Sequence, residues 1–422
     1  MSAPAAHSSR LFVLLCAHCF CAIGALGIFL PYFALFLREN VGLPGAQIGV
    51  VLALPPLVGL LAQPAWGHVA DRTGSRVRVL VLLASGTAVG FVVMSHAVDL
   101  ASTVFATVLL SLFQTALIPM SVSVTFGALA HPSAFGRVRV WGTVGYLLLI
   151  LVAPTWLQAQ RDALGMHAVP GGPSEPGLEL LFYLAAALSV GAAVTALGLR
   201  GPAGLSVRAQ RGDLRALLAL PAFLRVLVFS AGIQLFIQGP LALFPLYVRA
   251  RGGDMNDVSH MWIWMLLLEV PMIFGSSRLF ARFGVTRVMI VAAAGGALRW
   301  IACAYAPSLA YAYPVQLLHA LVVTGLGVGT ALHVEQIVPG RLRSTAQALA
   351  VMVGSSLGGM LSSVLCGAAL DRFGVDAVYL AGGTGGVLWA LAWWRPLIHG
   401  TRAAPVHAAA DGALAPNASR QP

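Results

Sequence analysis

Three ionisable side chains, Glu269, Arg299 and His319, stand deep inside runs of apolar residues. A charge in such surroundings costs several kcal/mol unless it faces an interior space and a partner. Counted at about 1.5 Å per helical residue, all three fall within roughly 10 Å of the middle of their runs, near enough to form one cluster. A carboxyl group there can take up and release a proton, a nearby arginine can couple that step to movement, and a histidine can relay the proton or hold a solute. The plainer alternative is a static pair of Glu269 with Arg299 that keeps two helices in register. In the first half of the chain, Arg139 is the charge best placed to meet a solute. Its planar fork suits a carboxylate, although so long a stem also reaches back to a surface. His333 and Glu335 lie near the end of the run that holds His319 and face the next loop, which gives them a smaller part. The amides of Gln63, Gln114, Gln234, Gln238 and Gln347, with His18 and Tyr32, suit either a cavity lining or ties between helices. Cys16, Cys19, Cys21 and His18 match a metal cluster by count, but helical spacing spreads them over more than one face. They read as small residues of an apolar helix. No metal, no cofactor and no catalytic residue is expected.

The elements that position these groups follow from composition. Of 422 residues, 59% are apolar and 9% charged, and the mean hydropathy is +0.86. A water-facing surface needs roughly 25% charged residues, so most of this surface faces something else. Runs of about 20 apolar residues, the length that crosses a hydrocarbon core as helix, recur along the chain. They fall near 11–37, 47–69, 77–96, 101–127, 140–158, 180–199, 222–247, 258–280, 286–306, 310–336, 343–366 and 376–396. The expected fold class is an all-α polytopic membrane protein with twelve transmembrane helices. Its partners are then the lipid bilayer and a small molecule.

Charge placement gives orientation. The chain has no lysine, and with the N-terminus inside, 19 of its 25 arginines lie on the cytoplasmic side. Arg38, Arg161, Arg249, Arg251 and Arg372 fall outside, and Arg299 falls within a run. That is the positive-inside pattern, so the net charge of +11 reads as topology. Nucleic acid is excluded as a partner, because the charge is scattered among loops. The polar start, Met1 to Arg10, precedes a run too long for a cleavable signal. The Arg-containing stretch from Arg200 to Arg225 divides the chain after the sixth run. The expected units are a cytoplasmic tail 1–10, a bundle 11–199, a linker 200–221, a bundle 222–396 and a tail 397–422. The Pro-Gly-Gly-Pro run within 158–179 and residues 403–422 read as weakly structured.

A loop pattern repeats. Gly67-His-Val-Ala-Asp71-Arg72-Thr-Gly74-Ser-Arg76 follows the second run, and Ser277-Arg-Leu-Phe-Ala281-Arg282-Phe-Gly284-Val-Thr-Arg287 follows the eighth. A third copy, Gly367-Ala-Ala-Leu-Asp371-Arg372-Phe-Gly374, follows the eleventh and should lie outside. Such repeats mark two pseudo-symmetric six-helix halves. Gly67 permits close helix approach, Gly74 a tight turn, and Asp71 can accept from amides at a nearby helix N-terminus. Arg72 and Arg76 supply donors, so Gly67, Asp71, Arg72, Gly74 and Arg76 form the expected gating loop.

The first loop resembles the signature of the major facilitator superfamily. The segment Phe135-Gly136-Arg137-Val138-Arg139-Val140-Trp141-Gly142-Thr143-Val144-Gly145-Tyr146 is similar to the phenylpropionate permease and lactose permease branch, as are Leu298-Arg299-Trp300 and Gln316-Leu-Leu-His319. The resemblance implies the major facilitator fold and a bacterial inner membrane, with both termini cytoplasmic. It implies substrate contacts at Arg139, Tyr146, Arg299 and His319, and proton coupling at Glu269 and His319. Two departures matter. The second carboxylate one turn after the histidine is Val322 here, and the acid after Pro119 is replaced by Met120, Ser121, Val122 and Ser123. A sugar clamp therefore lacks its acid, and Arg139 is left for a substrate carboxylate.

The expected function is proton-coupled symport of a phenylpropionate-like monocarboxylate by alternating access, carried out by a monomer. The alternatives are a proton-coupled sugar or nucleoside symporter, or a drug or metabolite efflux carrier. An enzyme would need a catalytic constellation that the sequence lacks. A non-transporting sensor would need a soluble signalling domain.

Overall fold

In the computed structural model, residues 3–129, 134–167, 175–199 and 213–400 are described. The linker stretch 200–212, the Pro-Gly-Gly-Pro run at 170–173 and the tail from 401 lie outside them. Helix α1 (Ala3–Phe29) includes most of the expected tail and continues, after a break at Pro31, as Phe33–Glu39. There follow α2 (Gly45–Thr73), α3 (Arg76–Met94), α4 (Leu100–Ala128), α5 (Phe135–Leu164) and α6 (Leu180–Leu197). A short helix, Asp213–Leu218, precedes α7 (Pro221–Ala242, continued by Phe244–Ala250). Then come α8 (Met255–Leu267 and Glu269–Phe283), α9 (Val285–Ala304) and α10 (Leu309–Ile337).

The last apolar segment, Thr345–Ala392, is 48 residues long. At about 1.5 Å per residue that is twice the reach a bilayer needs. It is broken at Gly374, whose φ of 79° and ψ of 174° are not helical. It therefore supplies two crossings, α11 (345–373) and α12 (375–392), and brings the eleven long apolar segments to twelve. The chain is an all-α polytopic membrane protein.

Local chemistry explains several boundaries. Asp99 and Asp254 start α4 and α8 with capping boxes, and the Ser102 hydroxyl and amide hold the Asp99 carboxyl below its ordinary range. The three loop copies end in glycines of positive φ: Gly74 at 63°, Gly284 at 82° and Gly374 at 79°. Only glycine enters that region without cost, so the repeated pattern is a repeated helix stop.

The core divides unequally. One continuous apolar cluster runs from α1 and α6 of the first half, through Ile28, Phe36 and Phe182, to Tyr247, Met261 and Trp300 of the second. At the arginine-rich face the core splits into two separate clusters. One is built around Leu83, Leu117 and Val138 of the first half, the other around Phe223, Val334 and Leu342 of the second. The halves are thus welded at one face and parted at the other.

Candidate functional site

Glu269 owes its position to Pro271. A proline has no N–H for the carbonyl four residues back, here Leu267, and its ring presses on that carbonyl. Helix α8 stops at Leu267 and restarts at Glu269, with Leu268 between them. Broken helices of this kind present polar groups at mid-depth in carriers. Glu269 is half-buried and makes no ion pair within 4 Å with a described residue. The charge felt at Glu269 is that of Arg139, in the opposite half, and Glu269 is felt in turn at Tyr146. Glu269 therefore lies within electrostatic reach of the first half. The expected cluster of Glu269 with Arg299 and His319, and the static Glu269–Arg299 pair, do not form. The α8 break starts a new helical segment at Glu269, so its direction is not that of a straight helix.

Arg139 lies on the first turns of α5 and is half-buried beside Cys19, Ile23, Ser121 and Val122. Its Nη1 is buried without a hydrogen-bond partner among the described residues. That placement sets it against helices α1 and α4. Tyr146, two turns on, packs on the shared core of the two halves. Nearby, Tyr32 bridges the halves: its hydroxyl donates to the Ile150 carbonyl at 3.1 Å and pairs with the Ser259 hydroxyl at 2.5 Å.

Arg299 and His319 meet at a cavity of about 350 Å³ within the second half. Its wall also includes Ser230, Gln234, Gln238, Val322, Gln347 and Ser355, from helices α7, α10 and α11. Arg299 is only 2% exposed, and its guanidinium lies 3.8 Å from the Trp300 ring centre. Its Nε and Nη1, the His319 Nδ1 and the Ser230 Oγ are buried without partners among the described residues. The Gln234 amide donates to Ser355 at 3.3 Å, and the Gln347 amide to the Ala331 carbonyl at 2.7 Å. Two stretches of π-helix, Val322–Val328 on α10 and Val351–Leu357 on α11, border the same space. Such bulges loosen a helix and concentrate at functional sites. Apolar sequence without proline carries no sign of them.

The loop copies divide their tasks. Asp71 is exposed and lies 3.7 Å from Arg76, which donates to Ser123 at 3.0 Å. Gly67 and Arg72 sit beside it on the last turns of α2. Among the described residues no backbone amide donates to Asp71. The amide acceptor is instead Asp371 of the third copy, at the opposite face. It takes the Gly45 amide at 2.7 Å and the Ala46 amide at 2.9 Å, at the start of α2. Arg38 approaches it to 3.7 Å. Beneath that cap, α2 and α11 touch backbone to backbone, and a Cβ on Gly49 would collide with the Ser363 carbonyl and Gly367 Cα. Arg249 adds a second clasp, 2.9 Å from Glu39 and 3.5 Å from Glu175, and Arg161 holds Glu175 at 2.8 Å.

Other expected candidates lie apart from these spaces. His18 bonds to the Ala192 carbonyl and Ser121, and Glu335 pairs with Arg343 at 3.1 Å. His333 is buried outside the cavity wall. Among the described residues no three His, Cys, Asp or Glu side chains come together as metal ligands.

Two six-helix halves, joined at one face and parted at the other around buried charges, define a secondary transporter. The chain belongs to the MFS_1 like family, whose model matches residues 12–381, and so to the major facilitator superfamily. It is 32% identical to the maltose permease of Geobacillus stearothermophilus, over 84% of this chain and 87% of that one. It is 26% identical to the probable 3-phenylpropionic acid transporter of Escherichia coli K12, over 69% and 74% of the respective chains. A crystal structure of a mutant of the nucleoside transporter NupG superposes with a TM-score of 0.80 at 16% identity, covering 91% of this chain and 98% of that one. That likeness is one of fold.

Proposed function

We propose that this chain moves a small organic solute bearing a carboxylate across a bacterial inner membrane, together with a proton, by alternating access. The arginine-rich face is cytoplasmic and both termini lie there. The carrier works as a monomer, and its conformation here opens inward. The single observation behind this reading is the imbalance of interior charge. Arg139 and Arg299 stand inside the bundle without ion pairs among the described residues, and the half-buried Glu269 lies within electrostatic reach of Arg139 across the halves. Glu269 takes the proton. Arg139, Tyr146, Arg299 and His319 contact the solute, with His319 close enough to Arg299 to feel its charge.

A second reading, symport of a neutral sugar, draws support from the identity to a maltose permease and from the glutamines of the second half. Purified protein in vesicles, given 3-phenylpropionate and maltose in turn, separates the two. External alkalinisation with the acid alone, corrected for passive permeation, supports the carboxylate reading. Alkalinisation with maltose alone overturns it. Silence with both, and with hydroxylated acids such as D-glucuronate, would remove the carrier reading itself.

A further inference from the structure

The cavity wall of the second half has a division of its own that neither a plain aromatic acid nor a neutral sugar uses fully. At one end stands Arg299, 2% exposed, with two guanidinium nitrogens unpartnered, and beside it the unpartnered Nδ1 of His319. An arginine stays charged in any protein environment, and a buried charge needs a counter-charge. Among the residues that line the cavity there is no aspartate or glutamate. Val322 occupies the position one turn after His319, where an acid would have neutralised Arg299. The ring of Trp300 softens the cost but adds no full negative charge. The missing charge is left for a ligand.

The rest of the wall is neutral and rich in hydrogen-bonding groups. Gln234 and Gln347 each spend an N–H on the protein and keep their amide oxygens. Gln238 makes no hydrogen bond with a described residue, and the Ser230 hydroxyl is buried without one. These groups need donors and acceptors spread over a ligand, which hydroxyls supply and a phenyl ring does not. Ser230 is buried and Gln234, Gln238 and Gln347 are half-buried, and polar groups left unpaired by the wrong ligand weaken its binding, so the wall selects against bare aromatic acids. The volume of about 350 Å³ is in the small-molecule range.

We infer that this cavity takes a polyhydroxylated carboxylate, of the uronate or aldonate class, with its carboxylate on Arg299 and His319 and its hydroxyls on Gln234, Gln238, Gln347 and Ser230. The inference rests on the transport reading only in treating this cavity as the solute site. It requires no new chemistry, and it accounts for the charged and the neutral parts of the wall at once.

Calorimetric titration of the purified wild-type protein with D-glucuronate, D-glucose and 3-phenylpropionate tests it directly. The expected order is D-glucuronate first, with each of the others weaker by about tenfold or more, the worth of one charge-assisted or two neutral hydrogen bonds. Arg299→Gln is expected to erase the preference for D-glucuronate over D-glucose. Gln234→Ala with Gln347→Ala is expected to narrow the preference over 3-phenylpropionate to about twofold. The wild-type comparison decides even if a variant fails to fold. Equal binding of D-glucose overturns the anion site, and equal binding of 3-phenylpropionate overturns the hydroxyl wall. Binding of D-glucuronate without uptake into vesicles keeps the ligand class and removes the carrier reading. Uptake of maltose or 3-phenylpropionate without D-glucuronate binding does the reverse.

Discussion

In the proposed symport, coupling turns on Glu269, a half-buried acid within electrostatic reach of Arg139 in the other half. Its neutral mimic should keep the shape of the site and lose the proton. In Glu269→Gln, proton movement on adding solute is expected to vanish, while exchange of labelled for unlabelled solute across the membrane continues near the wild-type rate. Exchange needs only the loaded carrier to reorient, and in the proposed cycle the loaded carrier is already protonated. Equal loss of both activities would make Glu269 a structural group. All three deep ionisable residues were legible in the sequence, since an ionisable residue in an apolar run is rare. Their grouping was not. Depth along a helix can be counted from residue numbers, but the face a side chain presents after a proline break depends on the tilt of the second segment. Arg299 and His319 share a cavity, and Glu269 lies outside its wall, within electrostatic reach of Arg139.

At the scale of elements, two devices carry testable weight. The α8 break removes helical hydrogen bonds in exchange for placing Glu269. Pro271→Ala lets the helix heal, removing up to about 3 kcal/mol of helix-breaking cost. The expected result is a higher melting temperature with lower proton-coupled uptake. A variant that gains both would show the break to be incidental. The second device is the cap of Asp371 on α2. Loss of a capping acceptor costs about 1 kcal/mol, so Asp371→Ala should shift the balance toward opening at that face by about fivefold. Spin labels at L164C and Y311C, both on exposed positions of that face, should then report a larger population at long distance. An unchanged distribution would remove the cap from gating. The repeat that names this aspartate was visible in the sequence, and so was the rule that such an acid meets helix amides. Which copy does so here follows from the conformation, because only the closed face brings a helix start within reach.

For the molecule as a whole, charge accounting sets the energetics of the cycle. In the proposed cycle a monocarboxylate anion and a proton cross together with no net charge, so loaded and empty carriers would bear the same interior charge. Uptake in vesicles should rise with an imposed pH gradient, alkaline inside, and should change less than about twofold under a membrane potential of 100 mV, which is worth about 2.3 kcal/mol per charge moved. A strong response to potential would favour a neutral solute carried with a proton. The division of the core agrees with this cycle: one shared apolar cluster closes one face, and two separate clusters leave each half free to move at the other.

The amino-acid sequence by itself determined the membrane class, the twelve crossings, the halving of the chain and the identity of the deep charges. Each is written in local order: the length of an apolar run, the recurrence of a loop, the rarity of a charge. It even marked four of the five arginines on the opposite face as exceptions whose reason became plain in their ion pairs, Arg38 with Asp371, Arg161 with Glu175, Arg249 with Glu39 and Arg251 with Asp376. Only the tertiary structure decided which face is closed, which aspartate caps a helix, where the π-helical stretches fall and which charges share a cavity. Those depend on how helices far apart in sequence rotate and tilt against one another, and apolar surfaces that pack equally well in several rotations leave no local mark of the one adopted.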